Sequence, residues 1–315
     1  MMTQRKYIPF LEIPLVEHCN LNCDCCNSHA NYVEHSSYDF EQYKKDISVL
    51  SETVHYSIVT FLGGEPLLCE KIQEYIKYAR QKKIADVYRV LTNGILLDKM
   101  DEEFFDSVDV VEVSHYPEDK TSIMEYNNFL DSKAKKHHFR YYVKNVGKFN
   151  RIDSVGLEEK EAQKEYLSCS RIKNGNMIFN GYYYKCMRPK TTNLYLAAEH
   201  GIKLENDLRY TDGIKIEENF NETLEQYLTD TTMLEACKYC LMGLESQNNT
   251  LIKAKEFGYR HPVLIRIFYS SNVYYHLFKK LKRFILIDEA VATKRKSQYI
   301  ETMEHNVSNK YVKKF

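Results

Sequence analysis

Short apolar runs recur along the first half of the chain, separated by polar stretches with helical periodicity. Strand-like runs lie near residues 10–16, 56–62, 86–92, 109–114 and 138–144, and polar-faced helical segments lie near 39–52, 70–83, 101–107 and 119–136. Strands that alternate with helices in this way predict parallel β-α units. A sixth strand is expected near 145–153, and so few units cannot close an eight-stranded barrel. Asp39, directly before Phe40, is the expected N-cap of the first helix, since its short side chain can accept from a first-turn N–H. Past residue 165 the alternation stops. There Asn176-Met-Ile-Phe-Asn180-Gly181, followed by three tyrosines, reads as a β-hairpin turning through Asn-Gly.

Composition narrows the class. A chain of 315 residues can bury one large core and carry an appended domain. Lys plus Arg equals Asp plus Glu at 44 each, and a net charge of zero argues against general nucleic-acid binding. The balance is uneven, however: residues 266–315 hold eleven Lys or Arg against four Asp or Glu. Within them, residues 272–286 form a basic amphipathic pattern, expected to pack its aromatic face on the barrel; an anionic membrane surface or a partner protein is the alternative. No run approaches the roughly 20 apolar residues that cross a bilayer, and no signal peptide opens the chain. Nine cysteines, seven of them in ligand-like spacing, suit a reducing, cytoplasmic setting better than a disulfide scaffold.

Three of those cysteines, Cys19, Cys23 and Cys26, sit in a loop after the run Pro9-Phe-Leu-Glu-Ile-Pro-Leu-Val16. Electron-transfer clusters of four irons are ordinarily held by four cysteines, so a group of three leaves one iron open for chemistry. Zinc is the alternative, with His18, His29 or Cys25 as its fourth ligand. The spacing Cys-x-x-x-Cys-x-x-Cys resembles the nucleating motif of the radical S-adenosylmethionine (radical SAM) superfamily. Two further segments strengthen the resemblance. Thr60-Phe-Leu-Gly63-Gly64-Glu65-Pro66 matches that family's Gly-Gly-Glu-Pro motif, which binds the methionine amino group of SAM, and Val90-Leu-Thr-Asn93-Gly94 resembles the end of a barrel strand. Ser114 and His115 end the fourth strand-like run, where family members contact SAM. Cys25 is read as a small buried residue and Cys69 as core.

A second cysteine group follows. Cys169 is followed by eleven residues, Gly181, four residues and Cys186, and later by Cys237-Lys-Tyr-Cys240. This order resembles the Twitch region, a shortened SPASM domain that holds an auxiliary four-iron cluster. A zinc ribbon would need two close pairs, whereas sixteen residues separate Cys169 from Cys186.

The resemblance implies an α/β fold: an open six-stranded partial TIM barrel over residues 1–160, a small α+β Twitch-type domain over 161–250, and a basic helical extension over 251–315. It implies two four-iron clusters and SAM, whose reductive cleavage yields a 5′-deoxyadenosyl radical that abstracts hydrogen. Gly63, Gly64, Glu65, Pro66, Asn93 and Ser114 are the expected SAM contacts. A closed auxiliary cluster is expected to carry an electron away, which favours oxidation of an alcohol on a sugar or cyclitol, or epimerisation through the same abstraction. His115, Arg140, Tyr142 and Lys144 are the candidate proton acceptors at strand ends. A flavodoxin- or ferredoxin-type reductant is the expected electron donor. The alternatives are a maturase acting on a ribosomal peptide or protein side chain, and a non-catalytic metal protein that binds a partner.

Overall fold

The computed structural model describes residues 5–23, 26–116, 119–146 and 152–242. The chain divides into two units, Met1–Gln247 and Asn248–Phe315, and every described residue belongs to the first. The expected basic helix at 272–286, and Cys25, lie outside the described residues.

Five strands run parallel in sequence order: β1 (Lys6–Val16), β2 (Val54–Gly63), β3 (Ala85–Thr92), β4 (Val110–His115) and β5 (Arg140–Asn145). Their crossovers are α1 (Phe40–Thr53), α2 (Ile72–Gln81), α3 (Glu102–Ser107) and α4 (Ile123–His137). Asp39 caps α1 by accepting from the Gln42 N–H. Ser122 and Glu125 form a capping box on α4. Each strand puts alternate residues on opposite faces. Leu11, Ile13, Leu15, Val59, Phe61, Val90, Val111 and Val113 pack on the helices, around Tyr43, Ile47, Ile76, Phe105 and Leu130. The other face carries Glu12, Thr60, Arg89, Glu112 and Lys144, placed by the register of neighbouring strands.

The expected sixth strand near 145–153 does not appear among the described residues of that stretch. Asn145 ends β5, and Asp153 forms an isolated antiparallel bridge with Cys240. The sheet grows instead at its opposite edge. After α5 (Glu159–Ser168) and α6 (Ser170–Asn174), a hairpin of β6 (Met177–Phe179) and β7 (Tyr182–Tyr184) joins β1 through Glu12 and Met177. Asn180 and Gly181, at φ 44° and 84°, make its two-residue turn, as their side chains favour. Beyond it follow α7 (Arg188–His200), α8 (Leu208–Thr211), β8 (Ile214–Lys215) and α9 (Phe220–Thr229). The result is one mixed sheet in the order β5-β4-β3-β2-β1-β6-β7-β8. The hairpin, expected in an appended domain, thus continues the barrel-type sheet. Among the described residues, no helix is long and apolar enough to cross a membrane.

Candidate active site and cysteine centres

Because β1 to β5 are parallel, their C-terminal ends lie on one side, where such folds place chemistry. The loop after β1 carries Cys19, Cys23 and Cys26, and the loop after β2 carries Gly63, Gly64 and Glu65. Their backbones are in contact: the Gly64 N–H donates to Val16 O at 2.8 Å and the Glu65 N–H to His18 O at 3.0 Å. A Cβ on Gly63 would lie 2.0 Å from Val16 O, and one on Gly64 1.9 Å from His18 O. Both glycines are therefore required by the close approach of the strand that leads into Cys19.

Glu65 is 1% exposed. Its Oε1 accepts from the Leu67 N–H and the Thr92 hydroxyl, and its Oε2 from the Asn93 N–H at 2.8 Å. Burial pushes the carboxyl up to about 7, against the pull of these three bonds. Its oxygens thus fasten the β2 loop to the end of β3. Pro66, next in the chain, opens a buried 3₁₀ turn that Glu65 caps. Asn93 extends the connection, with Nδ2 donating to Asn20 Oδ1 at 2.7 Å and standing 3.8 Å from Cys19 Sγ. The Cys19 sulfur also accepts from the Leu21 N–H at 3.4 Å, and burial raises its pKa. Cys26 N donates to Cys23 O, so a tight turn holds the second and third thiols together.

The candidate proton acceptors do not converge. His115 lies on the helix side of β4, with Nε2 2.9 Å from Thr121 O and its ring edge-on to Tyr126. Arg140, Tyr142 and Lys144 share the opposite face, because Tyr141 and Val143 pack on the core. Arg140 opens β5 opposite Val110, at the end of the sheet away from the cysteines. Lys144 stands opposite Ser114 near the cysteine end, 3.8 Å from Glu112. Arg89 closes a row there, 3.1 Å from Glu112 and within 3.0 Å of Thr60 Oγ1. Sequence reasoning missed Thr60, Arg89 and Glu112; polar residues interrupting three apolar strands on one face were the available signal. It also missed Tyr116, just past β4. Burial, and then the charges of Cys23, Cys26 and Cys19, hold the phenol of Tyr116 above its usual range.

Cys169, Cys186, Cys237 and Cys240 line a single cavity, with Glu12 and Asn27 also in its wall. Cys169 sits between α5 and α6, and Cys186 follows β7. Cys237 and Cys240 lie on and after a 3₁₀ turn (Glu235–Tyr239) whose first N–H groups are held by Asp212 at 2.8 Å. Burial pushes Cys169 and Cys186 up to about 11 and Cys240 to about 12. Among the described residues, no three His, Cys, Asp or Glu side chains close on the position of a single ion.

Helix α7 grips both flanks of the N-terminal triad. Lys190 Nζ donates to Glu17 Oε1 at 2.7 Å, both groups buried. His29 Nδ1 lies 3.0 Å from Thr191 Oγ1, and its Nε2 lies 3.0 Å from Asp153 Oδ1 and 3.1 Å from Arg188 Nη1. Arg188 Nη2 also donates to Asp153. Burial and Arg188 lower the pKa of His29. Burial alone would raise Asp153, but Arg188 and His29 outweigh it and hold the carboxyl below the usual range.

With this geometry in view, the comparisons with known proteins are specific. The profile of the radical SAM superfamily matches residues 13–153, the segment from β1 to the Asp153 bridge. The GTP 3′,8-cyclase of Chlorobaculum tepidum is 29% identical over 94 residues, which are 30% of this chain and 28% of that protein. The S-adenosylmethionine-dependent nucleotide dehydratase of Flammeovirga pacifica is 29% identical over 103 residues, 31% of this chain and 35% of that protein. The chain thus spans about a third of the length of these curated relatives. Among solved structures, BtrN in complex with AdoMet and 2-DOIA gives a TM-score of 0.45 at 13% identity, covering 78% of this chain and 92% of that one. The radical SAM match and the enzyme-named relatives support an iron-sulfur enzyme.

Proposed function

We propose that the chain is a radical SAM oxidoreductase that oxidises, or epimerises, a secondary alcohol on a sugar, cyclitol or related small molecule. One observation carries the reading: three strand-end segments, Cys19–Cys26, Gly63–Pro66 and Thr92–Asn93, are bonded to one another around Cys19. Cys19, Cys23 and Cys26 hold the first four-iron cluster, and Gly63, Gly64, Glu65, Pro66, Asn93 and Ser114 form the SAM side of the site. Reductive cleavage of bound SAM supplies a 5′-deoxyadenosyl radical that takes a hydrogen atom from carbon.

What the protein adds is position. Glu65 reaches no solvent, so its part is to hold Asn93 and the β3 end against the cysteine loop. The charged row of Arg89, Glu112 and Lys144 favours a polar substrate on the open face of the sheet. Of the four acceptor candidates, Lys144 is the one beside Ser114 at the cysteine end; as the charged partner of Glu112 it would hold the hydroxyl oxygen while the Glu112 carboxylate accepts the hydroxyl proton. Cys169, Cys186, Cys237 and Cys240 would hold a second four-iron cluster, which would offer an outlet for the remaining electron. The sum is balanced: SAM cation and alcohol give methionine, 5′-deoxyadenosine, ketone and one proton. A flavodoxin- or ferredoxin-type protein supplies the starting electron.

The test is anaerobic turnover of the reconstituted chain with SAM, dithionite and a panel of aminocyclitols and sugars. Ketone formed in step with 5′-deoxyadenosine supports the reading. Crosslinked or oxidised peptide from a peptide panel, with no small-molecule product, replaces it by the maturase.

A further inference from the structure

Arg188, in the wall of the four-cysteine cavity, carries a donor that is unspent among the described residues. Arg188 is 4% exposed and lines the cavity with Cys169, Cys186, Cys237 and Cys240. The ends of its guanidinium are committed, Nη1 to His29 and Nη2 to Asp153. Its backbone N–H donates to Cys186 Sγ at 3.5 Å. Its Nε–H, buried, has no partner among the described residues. A buried donor left unmet costs roughly 1–3 kcal/mol, so such groups ordinarily point at something. The Asp153 and His29 contacts fix the plane of the fork, and with it the direction of Nε–H.

We propose that Arg188 is a positioning and tuning residue whose Nε–H donates to a sulfur of the auxiliary cluster and raises its reduction potential. The inference rests on the proposed cluster at these four cysteines. A reduced cluster carries one more negative charge than an oxidised one, so a buried cation and a donated hydrogen bond stabilise the reduced form more. The low-dielectric setting enlarges that difference. Arg188 thereby makes the cluster a better acceptor for the electron that a substrate radical gives up. The same guanidinium, through His29, ties the cavity to the loop that follows Cys26, so the tuned acceptor faces the site of radical formation.

The test uses the full chain with Cys19, Cys23 and Cys26 changed to Ala, so that any four-iron signal belongs to the second centre. Its midpoint potential is read by EPR-monitored titration with Arg188 present and with Arg188→Lys, which keeps a cation for Asp153 but has no Nε–H. The expected result is at least a tenfold fall in the reduction equilibrium, about 59 mV for one electron. An unchanged potential with about four irons retained overturns the proposal and leaves the cluster reading standing. Absence of iron from the triple variant overturns both. Should Arg188→Lys fail to load iron, the Arg188 chain labelled with guanidino-¹⁵N arginine decides. A ¹⁵N coupling to the reduced cluster in pulsed EPR supports the proposal, and no coupling refutes it.

Discussion

Asn93 reaches from the end of β3 to set its amide Nδ2 3.8 Å from the sulfur of Cys19, while its own backbone N–H is held by Glu65. One residue thus joins the β3 end, the Gly-Gly-Glu-Pro loop and the cysteine triad. Outer-shell partners of metal ligands are typically worth about 10–100-fold in affinity or activity. Asn93→Ala is therefore expected to slow 5′-deoxyadenosine formation by about that factor while iron content stays unchanged. Unaltered cleavage would remove Asn93 from the site.

Gly64 is the tightest point of the fold. Any side chain there meets His18 O at under 2 Å. Gly64→Ala must push the cysteine loop away, at a cost of about 1–3 kcal/mol or more. The expected outcome is a lower urea midpoint together with loss of about four of eight irons, read by chemical iron analysis. Gly201, whose Cβ position is open, makes the contrast. Though its φ of 65° strains an alanine too, Gly201→Ala should leave the iron count intact.

Glu65 gives the pH dependence a sign. Its folded carboxyl is raised from 4.5 to about 7, so the folded state holds the proton more tightly than the unfolded chain. Its contribution is complete below pH 4.5 and is lost as pH rises through 7, an effect on the order of 3 kcal/mol. In metal-free protein, Glu65→Gln should abolish this fall, at lower stability throughout because an amide cannot accept from the Asn93 N–H with its NH₂ group. Urea midpoints measured between pH 5 and 8 check it; a slope that survives in Glu65→Gln assigns the effect elsewhere.

The second centre is separable from the first. Changing Cys237 and Cys240 to Ala should leave SAM cleavage within about twofold but stop ketone formation, because the hydrogen atom is removed with no outlet for the electron. Product assays on that variant decide it. Normal ketone yield would mean that the electron leaves by another route.

How much of this was legible in the chain follows from the range of each interaction. The five parallel strands announced themselves through apolar alternation, Asp39 through its capping position, and the 177–184 hairpin through Asn180-Gly181, all local signals. The Cys19–Cys26 triad and the Cys237-Lys-Tyr-Cys240 pair stood out because their spacing is short, whereas the cavity that joins the pair to Cys169 and Cys186 is long-range. The attachment of β6 to β1 was not, since a single pairing of Glu12 with Met177 joins residues 165 apart and leaves no local trace. The same holds for the His29–Asp153–Arg188 tie, three residues from distant segments, of which the sequence offered only His29, as a possible zinc ligand. The setting of His115 was hidden for another reason. It closes a strand in a family-like position, yet the two-residue period puts its ring on the helix side, and only the register could show that.

The most direct test is anaerobic reconstitution of the full chain with iron and sulfide, followed by SAM and dithionite. The proposed function predicts about eight irons, a change in the reduced EPR signal on adding SAM, and 5′-deoxyadenosine that disappears when Cys19, Cys23 and Cys26 are changed to Ala. Tightly bound zinc, no broad visible absorbance and no 5′-deoxyadenosine would contradict it.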